Sequence, residues 1–178
     1  VNLPEDYKIL DLTKGPWISG DSGFSIGKYD DFRPNVYNTD LFKSVRNIHV
    51  GIDIGGPVGT PCMAFMEGKI FDFGYNPAAG DYGNVVITEH IISSVKIWSL
   101  YGHLDSQSIT NKTKGQFIEK GEVIGFFGNE SENGGWEPHL HFQLSVVEPE
   151  THDLPGVVSM EDRESALRKF PDPRLVLG

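Results

Sequence analysis

Hydrophobic and polar positions alternate most sharply in Pro138-His139-Leu140-His141-Phe142-Gln143-Leu144. In an extended chain Leu140, Phe142 and Leu144 fall on one side, and His139, His141 and Gln143 on the other. The pattern predicts a strand with one face in a core and the other carrying imidazoles. Residues two apart in a strand have Cα atoms roughly 6 to 7 Å apart, so both rings can reach one small site. Similar runs recur from His49 onward, each bounded by Gly, Pro, Asn or Asp, and predict strands over residues 69–73, 84–90, 95–104, 117–118, 123–127 and 139–147. In the strand over 95–104 the alternation puts Val95, Ile97, Ser99, Tyr101 and His103 on one side, so His103 sits at a strand end.

The first forty-odd residues lack such a period and read as loop, with turns at Asp21-Ser22-Gly23, Tyr29-Asp30-Asp31 and Asn35-Val36-Tyr37-Asn38. The polar, glycine-rich stretch 128–137 predicts a loop leading into the two histidines. One helix is expected, over 160–170, capped by Ser159, with Glu161 and Asp162 in its first turn, Arg168 and Lys169 in its last, and Pro171 beyond.

Composition agrees with an all-β class. Glycine at 21 and proline at 11 favour strands joined by turns over long helices. With 178 residues and 38% hydrophobic content the chain can bury one core, and a single domain over 1–178 is expected. No apolar run reaches the roughly 18 residues of a membrane span. The opening Val1-Asn2-Leu3-Pro4-Glu5-Asp6 has neither a basic nor an apolar leader segment, so either no export signal exists or it has been removed. A net charge of −10 argues against a phosphate-backbone partner and predicts no nucleic-acid binding. The single Cys62 excludes an internal disulfide and reads as a small buried apolar residue.

Four of the six histidines stand in short motifs: His49-Val50-Gly51-Ile52-Asp53, Tyr101-Gly102-His103-Leu104 and the His139-Leu140-His141 pair with which the strand pattern began. Hydrolytic zinc takes three imidazole or carboxylate ligands and keeps a fourth position open, and His49, Asp53 and His141 would supply that set. Four residues of extended chain separate Cα atoms by about 13 Å, so the His49–Asp53 segment must bend, and Gly51 is expected to supply the bend.

The motifs His49-x-Gly-x-Asp53, Pro57-x-Gly-Thr-Pro61, Gly83-Asn84-x-Val-x-Ile, Tyr101-Gly102-His103-Leu104, Gly121-Glu122-x-Ile-Gly125 and Pro138-His139-Leu140-His141-Phe142, in this order, resemble the lysostaphin-type (LytM) zinc metallopeptidase family over roughly 47–147. The resemblance implies an antiparallel two-layer β structure with a metal-bearing groove, flanked here by an irregular N-terminal extension over 1–46 and a C-terminal extension over 148–178. It implies one zinc ion held by His49, Asp53 and His141, with His103 and His139 beside it as catalytic residues. It also implies a peptide or peptidoglycan-type substrate in a narrow groove, for which Tyr101, Asn84 and Trp136 are candidate lining residues. The Gly134-Gly135-Trp136-Glu137 segment, the Leu10-Asp11-Leu12 opening and the Phe170-Pro171-Asp172-Pro173 ending resemble a subgroup found fused to kinase-like and aminotransferase domains. The family default is an envelope location, while the fusion subgroup implies a cytoplasmic one. The oligomeric state is open.

Zinc would supply a Lewis acid and a water of lowered pKa. No His-Glu-x-x-His helix provides a glutamate base, so proton transfer falls to His103 and His139. Two readings compete: a catalytically silent or non-wall-directed binding module of the same fold, and a non-haem iron site, since two histidines and a carboxylate also form a facial triad. His90 reads as a surface or interface residue and His152 as solvated.

Overall fold

The computed structural model describes residues 1–16, 23–43 and 45–177. Asp21 and Ser22 of the first expected turn lie outside them.

Thirteen strands form among the described residues: β1 Lys8–Ile9, β2 Ser25–Gly27, β3 Asp31–Phe32, β4 Arg46–His49, β5 Ile52–Gly55, β6 Pro61–Met63, β7 Gly68–Asn76, β8 Gly83–Ile92, β9 Val95–Leu104, β10 Phe117–Ile118, β11 Val123–Phe126, β12 His139–Ser145 and β13 Val157–Ser159. Eight build the main sheet in the order β1-β2-β5-β12-β9-β8-β7-β10, antiparallel except for β1 beside β2. One face packs on the two-stranded β6/β11 layer, burying Ile52, Ile54, Tyr101, Leu140, Phe142 and Leu144 against Cys62, Ala64, Ile124 and Phe127. The other face packs on the sheet β13-β4-β3, where Val85, Ile87, Trp98 and Leu100 meet Ile48 and Val158. Cys62 is wholly buried, and burial pushes its thiol up to about 12, as an inert apolar filler requires.

The expected strands form with boundaries within a few residues, as does the C-terminal helix, α2 at Arg163–Lys169. Its start is three residues later than expected, yet Ser159 Oγ does accept a hydrogen bond from the Asp162 N–H, at 3.1 Å. Two four-residue helices were not foreseen, α1 at Gln107–Thr110 and α3 at Arg174–Leu177. Nor were the strands of the N-terminal third, which are too short to show a period and are held by neighbours distant in sequence.

Two local irregularities position the site. The chain leaves the small sheet at His49 and enters the large one at Ile52, so Val50-Gly51 is a step between layers and not a bend within one strand. Gly51 is needed for space and not for its backbone freedom. A Cβ there would stand 2.5 Å from Cε1 and Nε2 of His141. In β9 a bulge interrupts the ladder: β8 advances two residues, from Asn84 to Val86, while β9 advances three, from Leu104 back to Tyr101. His103, with φ 64°, lies in that bulge. The left-handed residue breaks the alternation, sending Leu104 into the core beside Tyr101 and His103 to the opposite side.

Candidate metal centre

Register brings the site together. In the antiparallel ladder His141 of β12 lies opposite Asp53 of β5 on one side and Gly102 of β9 on the other, and His49 enters from β4 above them. His49 Nε2 is 3.0 Å from His141 Nδ1 and 3.1 Å from Asp53 Oδ1, and His141 Nδ1 is 3.0 Å from the same Oδ1. These three residues form a group able to hold a metal ion.

The surroundings decide what those close contacts are. His49 Nδ1 lies 2.9 Å from the Lys28 carbonyl, which can only accept, so Nδ1 carries the hydrogen and Nε2 presents a lone pair. Gln143 donates through Nε2 to the Pro155 carbonyl, which turns its Oε1 toward His141 Nε2 at 3.0 Å. His141 Nε2 therefore carries the hydrogen, and Nδ1 presents a lone pair. Burial, followed by the nearby Arg33, lowers the His49 pKa to about 4, so its ring is neutral at ordinary pH. For Asp53, burial acts to raise the pKa, but the electrostatics of the neighbouring His49 and of the Arg33 guanidinium hold it well below the carboxylate range.

Three acceptors thus face one another with no hydrogen between them. Such a set is repulsive unless a cation lies among the three lone pairs. A tetrahedral ion about 2.0 to 2.1 Å from each donor would separate them by roughly 3.3 to 3.4 Å, so the observed 3.0 to 3.1 Å needs a few tenths of an ångström of opening. The donor chemistry, two imidazole nitrogens and one carboxylate oxygen, fits zinc.

The other two histidines repeat the arrangement. His103 Nδ1 is 2.7 Å from the Asn133 carbonyl and His139 Nδ1 is 2.7 Å from the Glu137 carbonyl, so both present Nε2 lone pairs. Their rings lie 4.1 Å apart between centroids, and His139 Nε2 is 3.9 Å from Asp53 Oδ1. Burial, and for His103 then the neighbouring His139, lowers both pKa values below the usual histidine range, His103 well below it. Tyr82 supports the floor, its ring 5.1 Å from that of His141 and 5.4 Å from that of His103.

The donors open into a groove of about 590 Å³. Trp136 lines it, half-buried, with its ring 6.1 Å from Tyr37 and 6.5 Å from His103. The Gly-Gly pair before it is structural: Gly134 takes φ 90°, and a Cβ there would overlap the Asp81 carbonyl oxygen. Tyr101 and Asn84 are not in the groove. Tyr101 is 1% exposed and packs on Phe142, 5.2 Å between centroids, on the far face of the sheet. Asn84 is buried and donates to the carbonyls of Leu104 and Glu132, each at 3.1 Å, tying the end of β9 to the 128–137 loop. His90 is buried and not on the surface, while His152 is half-buried with its ring against Gly74. Sequence reasoning missed Arg33, Tyr37 and Tyr82. Gln143 alone had a signal, its place on the histidine face of β12.

Residues 47–153 match Peptidase family M23. The chain is 35% identical over 99 residues to the DD-carboxypeptidase/endopeptidase Mpg of Neisseria meningitidis, covering 56% of this chain and 20% of that protein. It is 32% identical over 99 residues to lysostaphin of Staphylococcus staphylolyticus, covering 56% of this chain and 19% of that protein, and 30% identical over 122 residues to the peptidoglycan DD-endopeptidase ShyA of Vibrio cholerae, covering 66% and 26%. The chain therefore spans only about a fifth to a quarter of the length of these relatives. The crystallised catalytic domain of lysostaphin from Staphylococcus simulans superposes with a TM-score of 0.50 at 27% identity, covering 74% of this chain and 80% of that one. A second lysostaphin structure from that organism gives 0.52 at 25% identity, covering 82% and 52%. With the family match spanning the strands that carry all five site residues, the chain belongs to peptidase family M23 and has its LytM-type, lysostaphin-like fold.

Proposed function

We propose that the chain is a zinc-dependent endopeptidase that hydrolyses peptide bonds of peptidoglycan-type cross-links, with His49, Asp53 and His141 as metal ligands and His103 and His139 as catalytic residues. The observation that carries this is the convergence of three proton-free acceptors within 3.0 to 3.1 Å at the floor of a groove. The activities for which the relatives are named, DD-carboxypeptidase/endopeptidase and peptidoglycan DD-endopeptidase, support the substrate class.

When bound, zinc supplies a Lewis acid that polarises the scissile carbonyl and brings the pKa of water toward neutrality. The chain's own residues do the rest. One Nε2 lone pair of the His139–His103 pair accepts the proton of the attacking water, because the Nδ1 hydrogen of each ring is already committed to the Glu137 or Asn133 carbonyl. An imidazolium formed there is a strong acid, since burial disfavours the charge, and it returns the proton to the leaving amine. Trp136 and Tyr37 wall the groove beside His103 and limit how the peptide lies.

The test is a digest of purified peptidoglycan followed by mass spectrometry, run beside His141→Ala. New amine-terminated fragments from the unaltered protein alone are expected. A zinc-loaded protein that releases none would contradict the wall-directed reading and favour the non-wall or silent module.

A further inference from the structure

Among the described residues Arg33 is the largest fully buried side chain, 2% exposed, and it lies upstream of the stretch that matches the family. Its Nε donates to Asp31 Oδ2 at 3.1 Å, Nη1 to Asp53 Oδ2 at 2.7 Å and to the Tyr37 hydroxyl at 2.9 Å, and Nη2 to the Lys28 carbonyl at 3.2 Å. That carbonyl is also the acceptor that sets the tautomer of His49. One guanidinium therefore contacts the carboxylate of one donor and the carbonyl that orients another. The planar fork fixes the direction of each N–H, so its partners are held in angle as well as distance.

A carboxylate has two equivalent oxygens and can meet an ion through one or both. Here they are separated in role: Oδ1 faces His49 and His141, and Oδ2 faces Arg33. Two imidazoles and one carboxylate oxygen are three donors, which leaves the fourth position of a tetrahedral ion open to reactants. A second carboxylate oxygen would fill that position. We propose that Arg33 is a positioning residue that keeps Asp53 a one-oxygen ligand and so keeps the fourth position open, an inference that rests on the metal-centre reading above. The residue comes from the N-terminal extension, so this extension completes the metal site and does more than wall the groove. Asp31, itself buried, balances the arrangement: beside Asp53 it gives Arg33 a second carboxylate.

Removing the guanidinium alone would delete a positive charge near the ion, which itself favours metal binding and would mask a loss of positioning. Two charge-conserving variants avoid this. Arg33→Lys keeps the charge and loses the fork, and the double variant Asp31→Asn/Arg33→Met removes one charge of each sign. Zinc affinity by chelator competition and the visible spectrum of the cobalt(II)-loaded protein are compared with the unaltered chain, with circular dichroism of the metal-free proteins as a control on folding. Both variants are expected to fold, to bind zinc about 10- to 100-fold more weakly, and to show cobalt bands that shift and lose intensity as coordination number rises. Unaltered affinity and spectrum in either folded variant overturn the proposal. Failure of both variants to fold makes Arg33 a folding residue and overturns it too. An unaltered chain that binds neither metal contradicts the metal-centre reading itself, and this inference falls with it.

Discussion

His90 and His141 are both buried on strands of the same sheet, and each has polar partners at both ring nitrogens, yet the two clusters differ in kind. His90 Nδ1 lies 2.8 Å from the Glu67 carbonyl, and its Nε2 lies 2.7 Å from Thr88 Oγ1 and 3.2 Å from Ser99 Oγ, with those hydroxyls 2.6 Å apart. A hydroxyl donates and accepts, and it rotates to suit, so this cluster closes on itself. His141 Nδ1 faces a carboxylate oxygen and a second imidazole lone pair, and neither can donate. The same residue type at the same burial is a satisfied core group in one place and part of an acceptor set able to hold a cation in the other. What separates them is whether the partners can supply a hydrogen.

The largest effects should come from breaking the acceptor set. His141→Ala or His49→Ala should abolish metal binding and lower hydrolysis by more than about 100-fold, beyond what loss of an outer partner produces. His90→Ala should leave metal content intact while lowering stability by about 1–3 kcal/mol, because the hydroxyls and the Glu67 carbonyl lose a buried partner. Metal analysis and denaturant unfolding of both variants test the pair of outcomes, and metal loss in His90→Ala would erase the contrast.

Next in size, His103→Ala and His139→Ala should retain zinc while turnover falls about 100-fold or more. Loss of the ion in either would move that residue into the ligand set. Removing zinc with a chelator and restoring it at about 100 times its dissociation constant should change stability by about 2.7 kcal/mol. The His90 variant should show the same increment and His141→Ala none.

Smaller again is Gly51→Ala, which pushes a methyl against the His141 ring. Zinc affinity should fall about 10-fold; an unaltered affinity would mean that the ring has room to yield. The smallest effect is one of pH. Burial lowers the pKa of His90, so the unfolded chain binds that proton first. The stability it contributes is complete above about pH 6.5 and is lost as pH falls through the lower folded value. Unfolding curves of metal-free His90→Gln should therefore fall less steeply with acid than those of the unaltered chain, and parallel curves would exclude the effect.

Much of this was legible in the sequence because strand periodicity is local. Residues 138–144 announce both a core face and an imidazole face, and the ladder converts that pattern into Leu140 and Phe142 inside with His141 at the groove. Alternation failed at His103 because one left-handed residue in a bulge reverses the faces, which is why Tyr101 is in the core while His103 is at the site. The His49–Asp53 bend was foreseen, but its cause was not: the glycine is required by a ring 90 residues away in the chain, a contact no local pattern carries. Arg33 was illegible for the same reason, since an arginine among turns reads as solvated until Asp31 and Asp53 are seen to bury it. The placement of Asn84 follows from its two carbonyl partners, Leu104 at the end of β9 and Glu132 in the folded 128–137 loop, which only the tertiary structure brings together.

The most direct test of the three-acceptor centre is the metal content of the purified protein and of His141→Ala, both dialysed against excess zinc and then against metal-free buffer. The account predicts one zinc ion per chain in the first and none in the second. A metal-free unaltered protein, or equal zinc in both, would contradict it.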